Sequence, residues 1–280
     1  MSISSHYPEG ERIELNKPQL WVTVDSDDFR HLPKYQGHPV RSRFELPQRY
    51  ASLEPSLELR SGMEGFSKWI DRGGSATLFI IADQLDSMEF KEWLQKLIDT
   101  EKVKIGVHGN THRSWSAWPE DKEGFASELK IANERIRKFA QNAWRPWFRA
   151  PAGYIAPWMA EVLNEQGFKV DSSINPTKLL LSKTGERRSW KAVEKAMQSN
   201  GLVERKWLTS KLLGLALPAC GPALHMRSIG WLSKRAWNKC KSLERADDSV
   251  IEDASADVVT VYWHLLDHAK KAGNWRPPLE

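Results

Sequence analysis

The run Ala76-Thr-Leu-Phe-Ile-Ile-Ala82 is apolar at consecutive positions, not at alternate ones. A strand with one wet face alternates polar and apolar residues, so a run of this kind has to be covered on both faces. Related runs stand at Leu20 to Val24, Val103 to Val107 and Val258 to Trp263, with brief pieces at Trp147 to Arg149 and Phe168 to Val170. Stretches with helical spacing lie between them: Gly62 to Arg72, stopped by Gly73-Gly74, then Glu89 to Asp99, Gly124 to Ala140, and a helix opened by Pro157 that ends at Gly167. Doubly covered strands alternating with helices describe a parallel α/β sheet.

Polar residues punctuate the strands. Asp25, His108, Arg149, Asp171 and His264 each stand at or just past the C-terminal end of a run. In a parallel barrel every strand points that end to one rim, so these side chains would gather on a single face. An open doubly wound sheet would carry a Gly-rich first turn, and none follows Val24. The expected fold is a (β/α) barrel, distorted or incomplete. Residues 1-280 read as one catalytic domain, with an irregular insertion at about 177-250 where no clean period emerges.

Composition narrows the class. The 280 residues carry a net charge of only +5, spread out where a nucleic-acid binder would concentrate it in a stripe. No nucleic-acid partner is expected. Two cysteines, Cys220 and Cys240, allow neither a disulfide framework nor a Cys-rich zinc site. Met1 to Gln19 lacks an apolar core behind a basic start, and Trp207 to Met226 is broken by Lys211, Gly214, Pro218 and Pro222. Neither a secretory signal nor a transmembrane helix is expected, which makes the cytoplasm the expected compartment. The basic start and apolar middle of 177-250 leave peripheral membrane contact open. The 14 Trp residues serve either core packing or stacking on sugar rings; Trp115, Trp147 and Trp263, in or beside the polar loops, are the candidates for substrate binding.

Three motifs carry chemistry. His108-Gly-Asn-Thr-His112 follows a strand and can bring two imidazoles onto one metal. It lacks the intervening Glu of a helical zinc protease. Asp25-Ser-Asp27-Asp28 crowds carboxylates that repel one another unless a cation or a shared proton intervenes. One of them could complete a two-His metal site while another acts as base. In Arg149-Ala-Pro151-Ala-Gly153-Tyr154, the Arg can grip a carboxylate and the turn can aim backbone N–H groups at an oxyanion.

Together with Asp171 and His264, these motifs resemble in kind and order those of the NodB-type polysaccharide deacetylases, related to carbohydrate esterase family 4. The match spans roughly residues 20 to 268. The spaced Asp25-Ser-Asp27, in place of adjacent aspartates, looks like the D-x-D/E branch, which acts on lipid-linked sugars, peptidoglycan or non-sugar amides. The resemblance implies a seven-stranded barrel, with Asp25 as base and Asp27, His108 and His112 as metal ligands; Asp28 is the rival ligand. It further implies that Arg149 holds Asp25, the Tyr154 N–H meets the oxyanion, and His264, oriented by Asp171, protonates the leaving amine. Zinc suits such a ligand set best, with Fe²⁺, Co²⁺ and Ni²⁺ also admissible. The implied activity is hydrolysis of an N-acetyl or N-formyl amide on an amino sugar, nucleotide- or lipid-linked, in surface-polysaccharide (lipopolysaccharide O-antigen) biosynthesis. The alternatives are an allantoinase-like amidase on a small non-sugar amide and a non-catalytic carbohydrate-binding relative.

Overall fold

The computed structural model describes residues 17–280, so the leader reading of Met1 to Gln19 falls almost wholly outside the described residues. In chain order the elements are β1 (Gln19–Asp25), α1 (Leu57–Asp71), β2 (Ala76–Ile80), α2 (Met88–Ile98), β3 (Val103–Val107), α3 (Lys122–Ala140), β4 (Trp144–Phe148), α4 (Met159–Glu165), β5 (Val170–Asp171), α5 (Trp190–Ser199) and β6 (Val203–Glu204). A hairpin of β7 (Thr209–Leu212) and β8 (Leu215–Pro218) follows, then α6 (Gly230–Asn238), α7 (Asp248–Glu252) and β9 (Val258–His264). Among the described residues, seven strands pair in parallel in the order β6-β5-β4-β3-β2-β1-β9. The sheet curls until its edges touch. Trp207, just past β6, forms a lone parallel bridge with Thr260 of β9, and Leu208 N–H donates to the Thr260 carbonyl at 2.8 Å. The barrel is incomplete, as the alternation of strands and helices predicts.

The two-residue period of a strand sorts side chains between its faces. Val22, Val24, Leu78, Ile80, Ile105 and Val107 face the helices and join the main core. The intervening residues point into the barrel. At its lower end Trp21, Phe79, Trp147, Val170 and Ile251 form a separate apolar plug, each contributing about 1.5–3 kcal/mol on burial. Gly106 makes room for it, since a Cβ there would lie 2.5 Å from the Phe79 ring. Two positions further along the same faces stand Thr23 and Arg149, and Asp25 follows at the rim. Apolar floor, polar middle and acidic rim thus follow from one alternation.

Helix α1 departs from expectation. It begins at Leu57, not Gly62, because Ser56 caps it: the Ser56 Oγ accepts the Leu59 N–H at 3.0 Å. Gly62 is a packing contact instead of a boundary. A Cβ there would stand 2.5 Å from the Leu265 carbonyl, and one at Gly65 would stand 2.8 Å from the His268 Cβ. Helix α1 therefore seats closely on the 3-10 segment Leu265–Ala269 that follows β9. Residues 177–250 hold α5, the two-residue β6, the hairpin, α6 and α7. No helix among the described residues is long and apolar enough to cross a membrane.

Gly62→Ala tests the close seat. Helix propensity alone favours the Ala by about 1 kcal/mol, while overpacking against a fixed backbone oxygen costs about 1–3 kcal/mol. The variant is expected to unfold at lower urea than the parent; a higher midpoint would show that the contact does not constrain the helix.

Candidate active site

The segment from His108 to His112 is a turn, not a helix. Gly109 and His112 have φ of 81° and 61°, the left-handed region, which costs a non-Gly residue about 1–3 kcal/mol. Neighbours hold the turn in place: Ala82 N–H donates to the Gly109 carbonyl and Asp83 N–H to the Asn110 carbonyl, both at 3.0 Å. The imidazoles are fixed as well. His108 Nδ1 meets the Arg149 carbonyl at 2.8 Å, and His112 Nδ1 meets the His31 carbonyl at 2.7 Å. A carbonyl only accepts, so each Nδ1 carries the hydrogen and each neutral ring presents a bare Nε2.

Both bare nitrogens face Asp27. His112 Nε2 lies 2.5 Å from Asp27 Oδ1, and His108 Nε2 lies 3.6 Å from Asp27 Oδ2. Asp27 Oδ2 and His112 Nε2 are buried with no hydrogen-bond partner among the described residues. Three groups with lone pairs aimed inward repel one another unless a proton or a metal cation sits among them. Their ligand atoms lie within 4.8 Å of one another, and two imidazoles with one carboxylate make a donor set that fits a divalent metal. Asp28, the rival ligand, is occupied elsewhere. It accepts from the Phe29 N–H at 2.7 Å, the Ser56 Oγ–H at 2.6 Å and the Ser56 N–H at 2.8 Å.

Asp25 stands beside this cluster, gripped from below. Arg149, fully buried, donates to Asp25 Oδ1 at 2.6 Å, to Thr23 Oγ1 at 2.8 Å, and to the Ser172 carbonyl and Oγ at 2.8 and 2.9 Å. His264 ends β9 directly opposite Asp25 in the strand register. Asp25, Asp27 and His264 offer ligand atoms within 4.8 Å of one another. A carboxylate gripped by an arginine and an imidazole therefore flank the same spot.

Other expected site residues sit elsewhere. The Asp171 carboxylate accepts from the Ser173 Oγ–H at 2.7 Å and its N–H at 3.1 Å, and burial raises its carboxyl beside Glu204. It does not orient His264. Asp267 is the carboxylate beside that ring: Oδ2 lies 3.9 Å from His264 Nδ1 and accepts the His264 N–H at 3.0 Å. Burial works against charging Asp267, yet His225, His264 and Lys270 hold its carboxyl well below the usual range. The Tyr154 N–H is bonded to the Pro151 carbonyl at 3.1 Å, because residues 151–153 form a 3-10 turn. It is thus engaged within that turn; the Tyr154 hydroxyl meets His38 Nε2 at 2.9 Å.

The expected Trp residues do not line the cleft. Trp115 packs edge-on against Phe125, Trp147 lies in the barrel plug, and Trp263 is wedged among Trp69, Trp237 and Trp275. A cleft of about 660 Å³ opens above Asp25, Asp27, His108, His112 and His264, and its aromatic lining is Phe29, Trp207 and Tyr262. Trp207 tilts against Tyr262 with ring centres 4.4 Å apart and donates through Nε1 to the Ser172 carbonyl. Burial, with the Asp25 charge adding, pushes the Tyr262 phenol well up, so it stays neutral. On the opposite wall, half-buried Lys183 donates to the Ala152 carbonyl at 2.6 Å. Neither Lys183 nor Arg41, which also lines the cleft, has a carboxylate within ion-pair distance among the described residues. Burial, and secondarily Arg41, lowers the Lys183 ammonium to about 8. Asp267 could have been found as a cap three residues past His264. Lys183, Arg41 and Trp207 carry no local signal.

Comparison with known proteins bears on the fold and on part of the chain. The family model described as polysaccharide deacetylase matches residues 71–170, the stretch holding His108, His112, Arg149 and Tyr154. The match covers part of the span read from the motifs; Asp25, Asp27, Asp171 and His264 lie outside it. No curated protein matches the sequence. Among solved structures, a protein of Mycobacterium smegmatis provisionally assigned as a polysaccharide deacetylase is 13% identical, with a TM-score of 0.50 over 97% of this chain and 85% of its own. A carbohydrate esterase family 4 enzyme of Streptococcus mutans is 13% identical over 89% of this chain and 75% of its own, with a TM-score of 0.42. The chitin deacetylase of Colletotrichum lindemuthianum is 10% identical over 91% and 77%, also at 0.42. The first of these shares the fold.

The buried Asp171–Glu204 pair has a measurable signature. Burial, with the Asp171 charge adding, raises the Glu204 carboxyl well above its ordinary value. A raised acid contributes full stability below its unfolded value of about 4.3 and loses it as pH rises towards the folded one. The parent should therefore lose urea resistance as pH rises above about 4.3 relative to Glu204→Gln. Parallel pH profiles for the two proteins would show that the Glu204 carboxyl is not raised.

Proposed function

We propose that this chain hydrolyses the N-acyl amide, acetyl or formyl, of an amino sugar. The observation that carries the reading is the convergence of Asp27, His108 and His112 beside the Arg149-held Asp25 and His264. A divalent cation held by Asp27, His108 and His112, with zinc the best match to the donors, would polarise the acyl carbonyl and water as a Lewis acid. Asp25, kept in place by the Arg149 guanidinium, takes the proton from the attacking water. His264 stands on the neighbouring strand, its ring beside the Asp267 carboxylate, to protonate the amine as it departs. The carboxylate beside an arginine and the imidazole beside a carboxylate thus divide base from acid.

The cleft favours a substrate larger than a small ureide. At about 660 Å³ it is sized for a sugar with a substituent, and Trp207 and Tyr262 offer aromatic faces. The two cations without carboxylate partners, Lys183 and Arg41, suit a phosphate. That supports a nucleotide- or lipid-linked amino sugar, the kind of donor used in surface-polysaccharide assembly.

Two measurements test this. Asp25→Asn is expected to bind zinc as the parent does, while release of acetate or formate from acylated amino-sugar donors falls by about 10²–10⁴-fold. Near-parental release would remove Asp25 as base. Lys183→Met should raise KM for a phosphate-linked donor about tenfold with kcat nearly kept, leaving a neutral acylated sugar unaffected. Since the ammonium is charged below about 8, the parent's KM for the phosphate-linked donor should climb above that pH. Equal effects on both donors would place the phosphate elsewhere.

A further inference from the structure

The β7–β8 hairpin pairs only with itself among the described residues. Its tip carries Leu212, Leu213 and Leu215, which are 42%, 95% and 63% exposed. Leu213 adopts a φ of 48°, the left-handed region where Gly or Asn would sit with less strain. Helix α6 packs on β7 and on the turn Gly221–His225, and so lies beside the hairpin. Its solvent face repeats at helical spacing as Trp231, Lys234, Arg235 and Asn238, all exposed. Met226, half exposed, stands at the start of that helix and accepts the Gly230 N–H at 2.7 Å.

Charge on this face has one sign. From Arg205 to Leu243 the sequence has no Asp or Glu, while Lys211, Arg227, Lys234, Arg235, Lys239 and Lys241 fall within it. Among the described residues, Lys211, Arg227, Lys234 and Arg235 form no ion pair. A nucleic acid would meet the cations but leave the leucines in water. A protein core would take the leucines but not the lysines. An anionic bilayer surface takes both, with apolar side chains at the acyl boundary, Trp at the interface and cations among the headgroups.

We propose that the hairpin tip and the exposed face of α6 dock this chain on an anionic lipid bilayer. Pro218, Pro222 and Met226 of the same region line the catalytic cleft, so the docked chain opens that cleft near the headgroups. The docking does not rest on the deacylation reading, and its test needs no turnover.

The test is sedimentation of the full chain with phosphatidylcholine vesicles, prepared with and without phosphatidylglycerol. The chain is expected to pellet with the anionic vesicles and to be released by salt. Partition should fall about tenfold in Leu213→Asp/Leu215→Asp and in Lys234→Glu/Arg235→Glu, and stay unchanged in Lys138→Glu on α3. Zinc binding and far-ultraviolet circular dichroism equal to the parent's establish that the variants fold. Absence of partition, equal partition on neutral vesicles, or an unchanged hairpin variant overturns the proposal. So does a dimer in sedimentation velocity that the same substitutions abolish, because the face would then join two copies.

Discussion

Arg149 has no contact with water, and its guanidinium is held by β1, by the segment after β5 and by the Phe79 ring, 4.4 Å from its centre. Burying that charge is tolerable only because Asp25 and the polar groups around it meet its donors. Breaking such a pair by removing one partner typically costs about 3–5 kcal/mol. The same residue works from both ends: its side chain aims Asp25, and its carbonyl takes the His108 Nδ1–H and so turns Nε2 towards Asp27. The positions of the candidate base and one candidate ligand therefore share one anchor at the end of β4.

Much of the architecture could be read before any coordinates. Ala76 to Ala82 and Val258 to Trp263 lack alternation because both faces are covered, and the strand-end polar residues with no Gly-rich first turn favour a filled barrel over an open sheet. Arg149, His108, Asp25 and His264 could be placed because strand ends share a rim. Local pattern failed where meaning lies in contact. Gly62 looks like a helix boundary and is a close approach. Strand β6 has two residues, too few for any period. An indole packs a core and faces a cleft with the same surface, so Trp115, Trp147 and Trp263 could not be told from Trp207.

Asp171 and Asp267 show the same limit in chemical terms. Both are acids near the rim, and the sequence order favours Asp171 as the partner of His264. Asp171 instead lies against Glu204, and burial of the two acids together raises both carboxyls. Asp267 lies among His225, His264 and Lys270 and keeps its charge. The difference rests on which groups fold around each acid, and those groups come from distant parts of the chain.

The turn from His108 to His112 is held by bonds that need no cation: His112 to the His31 carbonyl, His108 to the Arg149 carbonyl, and the Gly109 and Asn110 carbonyls to Ala82 and Asp83. The entropy of assembling the ligands is thus already met when the polypeptide folds, and the left-handed backbone at His112 is kept by its surroundings. Uptake of a metal there would be an event separate from folding, unlike that of a zinc finger, whose apo chain is unfolded. A chelator would then silence the centre while leaving the barrel standing, and the emptied protein would be ready to take up whichever suitable ion its surroundings supply.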